Sequence, residues 1–235
     1  SRGEGGVSRT AEEWRGAGGV MGWAAGRHGY GERPGRHNSD EGRLLGDAAQ
    51  KSGKHVQVGT QSRSTDCVKD GIQRVLDGAI GDVLVAKSWD SQKRSTIGKA
   101  KPSDPPSYLD FDSWVGPAQK VPYQKNLLPA VWRWWYDFGC GDIGNDGVHD
   151  IDVGLWGLGV NSFPDPSSKS SAALQHPERV SCMGGTYFFD DDMQFPDTQY
   201  AIFEYPEEKN GRRKQFIYEQ RIWSPYVQDG YENGS

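Results

Sequence analysis

Gly139-Cys140-Gly141-Asp142-Ile143-Gly144-Asn145-Asp146-Gly147-Val148-His149-Asp150-Ile151-Asp152-Val153-Gly154-Leu155-Trp156-Gly157-Leu158-Gly159 is the stretch from which the fold is read. Written on a helix, it separates into two stripes. Val148, Ile151, Leu155 and Leu158 recur at helical spacing and make an apolar face. Asn145, His149, Asp152 and Trp156, at i, i+4, i+7 and i+11, make a polar one. On that face an imidazole stands one turn from an amide and one turn from a carboxylate, which suits proton transfer, with Asp152 setting the tautomer of His149. The same pattern also describes a histidine bonded to Asp152 across one turn simply to order a surface. Glycines at both ends let backbone approach closely and stop the helix.

Outward from this helix, the chain reads as α/β. Asn38 and Glu41 form a capping-box pattern ahead of a helix faced by Leu44, Leu45, Ala48 and Ala49 and ending near Ser52 and Gly53. His55–Gly59 is a short strand. Thr65 or Asp66 opens a helix faced by Val68, Ile72, Val75 and Leu76 and closed by Gly78. Asp82–Trp89 is the next strand. Residues 91–130 are a long excursion with anchors expected at Tyr108, Phe111, Trp114 and Tyr123, and a loop of that length usually covers something. Val131–Phe138 is an aromatic cluster. After a Ser/Pro loop at 161–177, three strands are expected at Val180–Phe189, Thr198–Tyr205 and Lys214–Trp223, in antiparallel pairing. Residues 1–36 yield only a helix from a Thr10 cap through Ala24, weakened by four glycines.

Composition removes several function classes. A net charge of −5 disfavours nucleic acid or an anionic membrane as the main partner. Mean hydropathy is low, at −0.77, yet nine Trp, ten Tyr and eight Phe supply area for a core. No apolar run approaches membrane-spanning length. Cys67, Cys140 and Cys182 are far apart and odd in number, which points to a reducing, cytoplasmic setting and no disulfide framework. His28, His37, His55, His149 and His176 lack zinc spacing, so no metal is expected. Asp190-Asp191-Asp192 with Asp197 reads as a solvated hairpin turn, not a Ca²⁺ loop.

Three segments in order resemble the glucose–fructose oxidoreductase/inositol dehydrogenase (Gfo/Idh/MocA) family. Glu32-Arg33-Pro34 with His37-Asn38 and Glu41-Gly42 is similar to its Glu-Lys-Pro motif and following helix. Val58-Gly59-Thr60-Gln61-Ser62-Arg63-Ser64 is similar to the next strand and loop, and Gly139–Gly159 to its active-site helix. Leu109–Pro117 and Phe195-Pro196-Asp197-Thr198 look similar to a sugar-processing branch.

The resemblance implies the C-terminal part of a Rossmann-like domain over residues 1–64. An α/β substrate and oligomerisation domain with an open, mainly antiparallel sheet would follow over 65–235. It implies NAD or NADP as cofactor and hydride transfer on a sugar or cyclitol-type alcohol. Nicotinamide-retaining glycoside hydrolysis or elimination is the alternative within the family. By the same resemblance His149, Arg33 and Asn145 are the catalytic candidates. Trp14, Glu32, Arg33, Pro34 and Gln61 are cofactor-side candidates, and Arg63, Trp132, Arg133 and Asp152 are substrate-side candidates, the Trp132–Arg133 cluster reading also as an aromatic core at a domain junction.

The departures are specific. The motif lysine is Arg33, which holds charge but does not readily exchange a proton. Asn145 stands where a carboxylate is usual, and an amide is no base. The segment Glu13-Trp14-Arg15-Gly16 resembles a family Trp-His turn, with Arg15 in place of His. The glycine-rich text Arg15–Val20 follows no recognisable strand, so the pyrophosphate loop is expected to be missing. These departures imply a truncated member, with a non-catalytic chain as a further alternative. Partners are expected to be a small sugar-like molecule and a second copy through the open sheet.

Overall fold

The computed structural model describes residues 5–8, 10–35, 37–160, 176–206, 211–224 and 233–234. The Ser/Pro loop expected at 161–177 lies almost wholly outside the described residues. Eight strands and five α-helices follow in the order β1 (Gly5–Ser8), α1 (Glu12–Ala24), β2 (His28–Gly31), α2 (Ser39–Ser52), β3 (Val56–Val58), α3 (Asp66–Leu76), β4 (Val85–Asp90), α4 (Phe111–Val115), α5 (Val148–Leu158), β5 (Arg179–Gly185), β6 (Thr198–Glu204), β7 (Gln215–Arg221) and β8 (Asn233–Gly234). They divide into two compact units. One comprises residues 1–59, 96–145 and 189–195, and the other residues 60–95, 146–188 and 196–235.

The first unit holds a parallel sheet in the order β1-β2-β3, with α1 and α2 as its connections. Strands β1 and β2 escape a reading of the sequence because Gly-Gly-Val-Ser and His-Gly-Tyr-Gly show no apolar alternation. Their strand state comes from pairing with each other and with β3. A strand therefore does precede the glycine-rich helix. Helix α1 starts at Ala11 without a side-chain cap, not at Thr10.

Helix α2 carries its capping box in full. Asn38 Oδ1 accepts from Glu41 N at 2.9 Å, and Glu41 Oε2 accepts from His37 N at 2.8 Å. Gly53 ends the helix in the left-handed conformation.

Val115, Leu127 and Phe138 form the buried centre of this unit, with Phe111, Trp114, Trp132 and Trp135 packed around it. Phe111 stacks on Trp114 and meets Tyr123 edge-on. Tyr108 is 89% exposed and is no anchor.

The aspartate run is also not a merely solvated turn. Asp191 Oδ2 accepts from Thr96 Oγ1 and Ile97 N, Asp192 Oδ2 from Ala100 N and Asn126 Nδ2, and Asp190 pairs with Lys99. Carboxylates thereby take up the backbone donors of the long excursion, which has no ladder of its own.

Glu12 and Glu13, in the first turn of α1, are 1% and 4% exposed. Glu12 Oε2 and both carboxylate oxygens of Glu13 are buried without a hydrogen-bond partner. Burial pushes the Glu13 carboxyl up to about 7, with Glu12 adding repulsion. Burial raises Glu12 as well, against the lowering effect of Cys140 and Arg15.

The second unit is a five-stranded mixed sheet in the order β5-β6-β7-β4-β8. β5, β6 and β7 pair antiparallel as expected, whereas β4 joins β7 in parallel, Ser88 opposite Tyr218. Helix α5 packs on β4 and β7 through glycine. A Cβ at Gly147 would lie 2.0 Å from Tyr218 Oη, and one at Gly154 would lie 2.5 Å from Ser88 Oγ and 2.7 Å from Phe216 Cε2. Ser88 Oγ donates to the Asp150 carbonyl at 2.7 Å, which fixes the helix against the strand. Gly157 brings α5 close to Ile72 of α3, and Gly159 ends it at φ 78°.

Two outcomes follow from this packing. Gly154→Ala overfills the contact and lowers stability in urea unfolding by about 1–3 kcal/mol. For Glu13, the folded value lies above the ordinary 4.5, so stability falls as pH rises from about 4.5 to 7. Glu13→Gln therefore unfolds at higher temperature than the parent at pH 8, by up to about 3 kcal/mol of stability, and the difference fades towards pH 4.5.

Candidate functional site

Helix α5 enters through a π-helical turn, Ile143–Gly147. Such turns widen the backbone and recur at functional sites. Here the turn breaks the expected stripe. Asn145 does not sit one α-turn before His149, and its Nδ2 donates to Asp142 Oδ1 at 2.9 Å. The α-helical register holds from Val148, so His149, Asp152 and Trp156 share one side.

In the second unit these three meet the 3₁₀ turn Gln61–Ser64. Gln61 Nε2 lies 3.4 Å from His149 Nε2. An amide nitrogen only donates, so this pairing suits the tautomer whose Nε2 keeps its lone pair. Arg63 donates to Asp152 from Nε at 2.7 Å and from Nη2 at 2.9 Å. Its guanidinium also lies 4.7 Å from the centre of the Trp156 ring. Asp152 is thus the carboxylate of a two-point arginine clamp. A guanidinium offers two parallel donors, whereas an imidazole one turn away offers one.

Three further residues shape this end of α5. Asp146 Oδ2 accepts from Gln92 Nε2 at 2.7 Å and pairs with Arg94. Asp150 lies four residues after Asp146, beyond the end of the π turn, and its Oδ2 is buried without a hydrogen-bond partner. Burial first, then the Asp146 charge, pushes the Asp150 carboxyl up to about 7. Reading the sequence for a single polar stripe missed this second group. The available signal was two carboxylates at i and i+4, followed by the alternation of Gln92 and Arg94 past β4.

In the first unit, Glu32-Arg33-Pro34 directly follows β2, at a strand end where ligands of parallel sheets gather. Arg33 Nε donates to the Asn145 carbonyl at 3.1 Å, and Nη1 lies 3.4 Å from Glu32 Oε2. Arg33 and Asn145 are therefore brought together, through the backbone of Asn145. Pro34 packs against Gly144. Arg15, nearly buried, holds this turn: it donates to the carbonyls of Arg33, Pro34 and Thr10.

Trp14 donates its indole N–H to Trp114 O at 3.1 Å and packs under Gly116, where a Cβ would overlap the ring. Trp132 packs on the Val115–Phe138 core, with the Arg133 guanidinium 5.8 Å from its ring centre. Among the described residues no group of three His, Cys, Asp or Glu side chains is arranged to hold a metal ion, and no helix is long and apolar enough to cross a membrane.

Residues 87–195 match the model of the Gfo/Idh/MocA oxidoreductase family's C-terminal alpha/beta domain. Over these residues, fewer than half of the chain, it is similar to the Gfo/Idh/MocA oxidoreductase family. Comparison with curated proteins finds no match. Among solved structures, the fold is similar to aldose-aldose oxidoreductase from Caulobacter crescentus, with a TM-score of 0.64 and 14% identity over 94% of this chain and 51% of that one. It is likewise similar to the WlbA dehydrogenase from Bordetella pertussis, a complex with NADH and UDP-GlcNAcA, with a TM-score of 0.64 and 16% identity over 96% and 53%. Levoglucosan dehydrogenase, in complex with NADH, gives a TM-score of 0.62 and 15% identity over 93% and 49%. The chain spans about half the length of these structures.

The matched residues include α5, most of β4, Arg94, Asp146 and Asp150. Removing the Asp146 charge with Asp146→Asn lowers the titration midpoint of Asp150 below about 7, because one of its two causes is gone. Carboxyl-carbon NMR shifts followed from pH 4 to 9 check this.

Proposed function

We propose that this chain is the substrate-side part of an NAD(P)-dependent oxidoreductase acting on a sugar or cyclitol-type alcohol by hydride transfer. The observation that carries the reading is His149. Its Nε2 lone pair faces a displaceable amide, and its helix is locked by glycine contacts within a Gfo/Idh/MocA domain. A substrate hydroxyl taking the place of Gln61 would give its proton to that nitrogen. The Arg63–Asp152 clamp over Trp156 gives a fixed wall for a polyol. Within the first unit, Trp132, Arg133, Arg33 and Asn145 are sugar-binding candidates by their aromatic surface and donors, and neither Arg33 nor Asn145 is a base.

A bound nicotinamide would supply the hydride acceptor, and Trp14, Glu32, Arg33 and Pro34 are the first-unit residues proposed to hold it. A whole dinucleotide does not fit the described residues. A pyrophosphate needs a helix N-terminus opened by a glycine-rich turn. Here α1 opens on Glu12 and Glu13 and α2 on Asp40 and Glu41, which repel phosphate. Gly16, Gly18, Gly19 and Gly22 lie inside α1. These acidic starts favour a second reading, a sugar-binding chain without catalysis of its own.

A second copy of the chain is the proposed partner of the sheet face opposite α5, where Val85, Met183, Tyr200 and Ile202 are exposed. Cytoplasmic residence is part of the same proposal.

Calorimetric titration of the chain with NAD⁺, NADH, NADP⁺ and NADPH separates the two functional readings. Binding below millimolar cofactor supports the oxidoreductase, and His149→Ala then cuts turnover far more than cofactor affinity. Absence of binding at millimolar cofactor leaves the non-catalytic reading.

A further inference from the structure

Resting on the sugar reading above, we propose that the α5 end of the second unit selects uncharged polyols and rejects anionic sugars such as uronates and sugar phosphates. Recognition of a carboxylate or phosphate calls for a guanidinium or ammonium whose charge is not already spent. Among the described residues of the second unit, the guanidinium groups bonded to α5 and its entry turn, Arg63 and Arg94, are both committed. Arg63 is clamped by Asp152 through two hydrogen bonds, and Arg94 pairs with Asp146.

Asp150 then adds a carboxyl whose Oδ2 is buried without a hydrogen-bond partner, with the Asp146 charge beside it. The remaining polar groups here, Gln61, Gln92 and His149, are neutral donors and acceptors of the kind that hydroxyl groups satisfy. An anion brought to this face would meet two paired cations and up to three carboxylates. Like charge in a partly desolvated site is a strong means of rejection.

Calorimetric titration of the full chain at pH 8, where Asp150 is ionised, tests the selectivity. D-glucose, D-xylose and myo-inositol are set against D-glucuronate and glucose 6-phosphate. The expected result is binding of at least one neutral sugar and at least about tenfold weaker binding of each anionic one. The double variant Asp146→Asn/Asp150→Asn leaves Arg94 without its carboxylate and narrows the gap by strengthening the anionic sugars. Anionic sugars that bind as tightly as the neutral ones, or tighter, overturn the selectivity while leaving the sugar reading intact. Binding of neither set overturns the sugar reading, and the selectivity with it. Should the double variant fail to fold, the comparison on the parent chain still decides. A gap that the folded variant leaves unchanged rules out the aspartates as its cause.

Discussion

Helix α5 lies so close to β4 and β7 that two of its positions have no room for a single methyl group. Gly147 sits against the Tyr218 hydroxyl, and Gly154 against Ser88 and Phe216. The bond from Ser88 to the Asp150 carbonyl fixes the helix along the strand direction as well as in distance. With position and rotation both fixed, His149, Asp152 and Trp156 can only point towards the turn that carries Gln61 and Arg63. The apolar side, with Leu158 buried, can only point away from it. The chemistry proposed for the chain inherits its geometry from this contact, because an imidazole that could swing would give no defined partner for a substrate proton.

Charge is distributed differently in the two units. Around α5 each guanidinium has a carboxylate in bonding distance, and the leftover carboxyl, Asp150, is shifted so that it sheds its proton only near neutrality. In the first unit Arg15 spends its donors on the backbone carbonyls of the Glu32-Arg33-Pro34 turn. It leaves buried oxygens of Glu12 and Glu13 without a hydrogen bond. Burying carboxyls in this way costs stability above pH 7. It also makes the start of α1 a poor place for phosphate, which bears directly on how much of a dinucleotide the described residues could hold.

Much of the architecture was legible. The capping box at Asn38 and Glu41, the helix after Thr65, the helix that carries His149 and the three antiparallel strands all follow from spacing that depends on neighbours in sequence. The misses share a cause. β1 and β2 are glycine-rich, and their strand state is conferred by partners distant in sequence. The π turn displaces Asn145 from a stripe that assumes one uniform helical pitch. The clamp of Asp152 by Arg63 joins residues 89 apart, which no local periodicity can register. The carboxylates of Asp190–Asp192 bind backbone N–H groups nearly a hundred residues away for the same reason.

What the sequence determined by itself is the inventory and the local frame. It gave a glycine-flanked helix bearing one imidazole, the order of helices and strands, and a family resemblance that the match over residues 87–195 supports. Tertiary structure alone decided the pairings. Asp152 clamps Arg63, Gln61 stands at the imidazole, Asp146 holds Arg94, and Asp150 is left protonated close to neutral pH. The reason is physical. Helical and strand periods are set within a few residues by backbone geometry. The partner of a charged side chain is set by which distant segments the core brings within a hydrogen bond of it, and by how much water that packing removes.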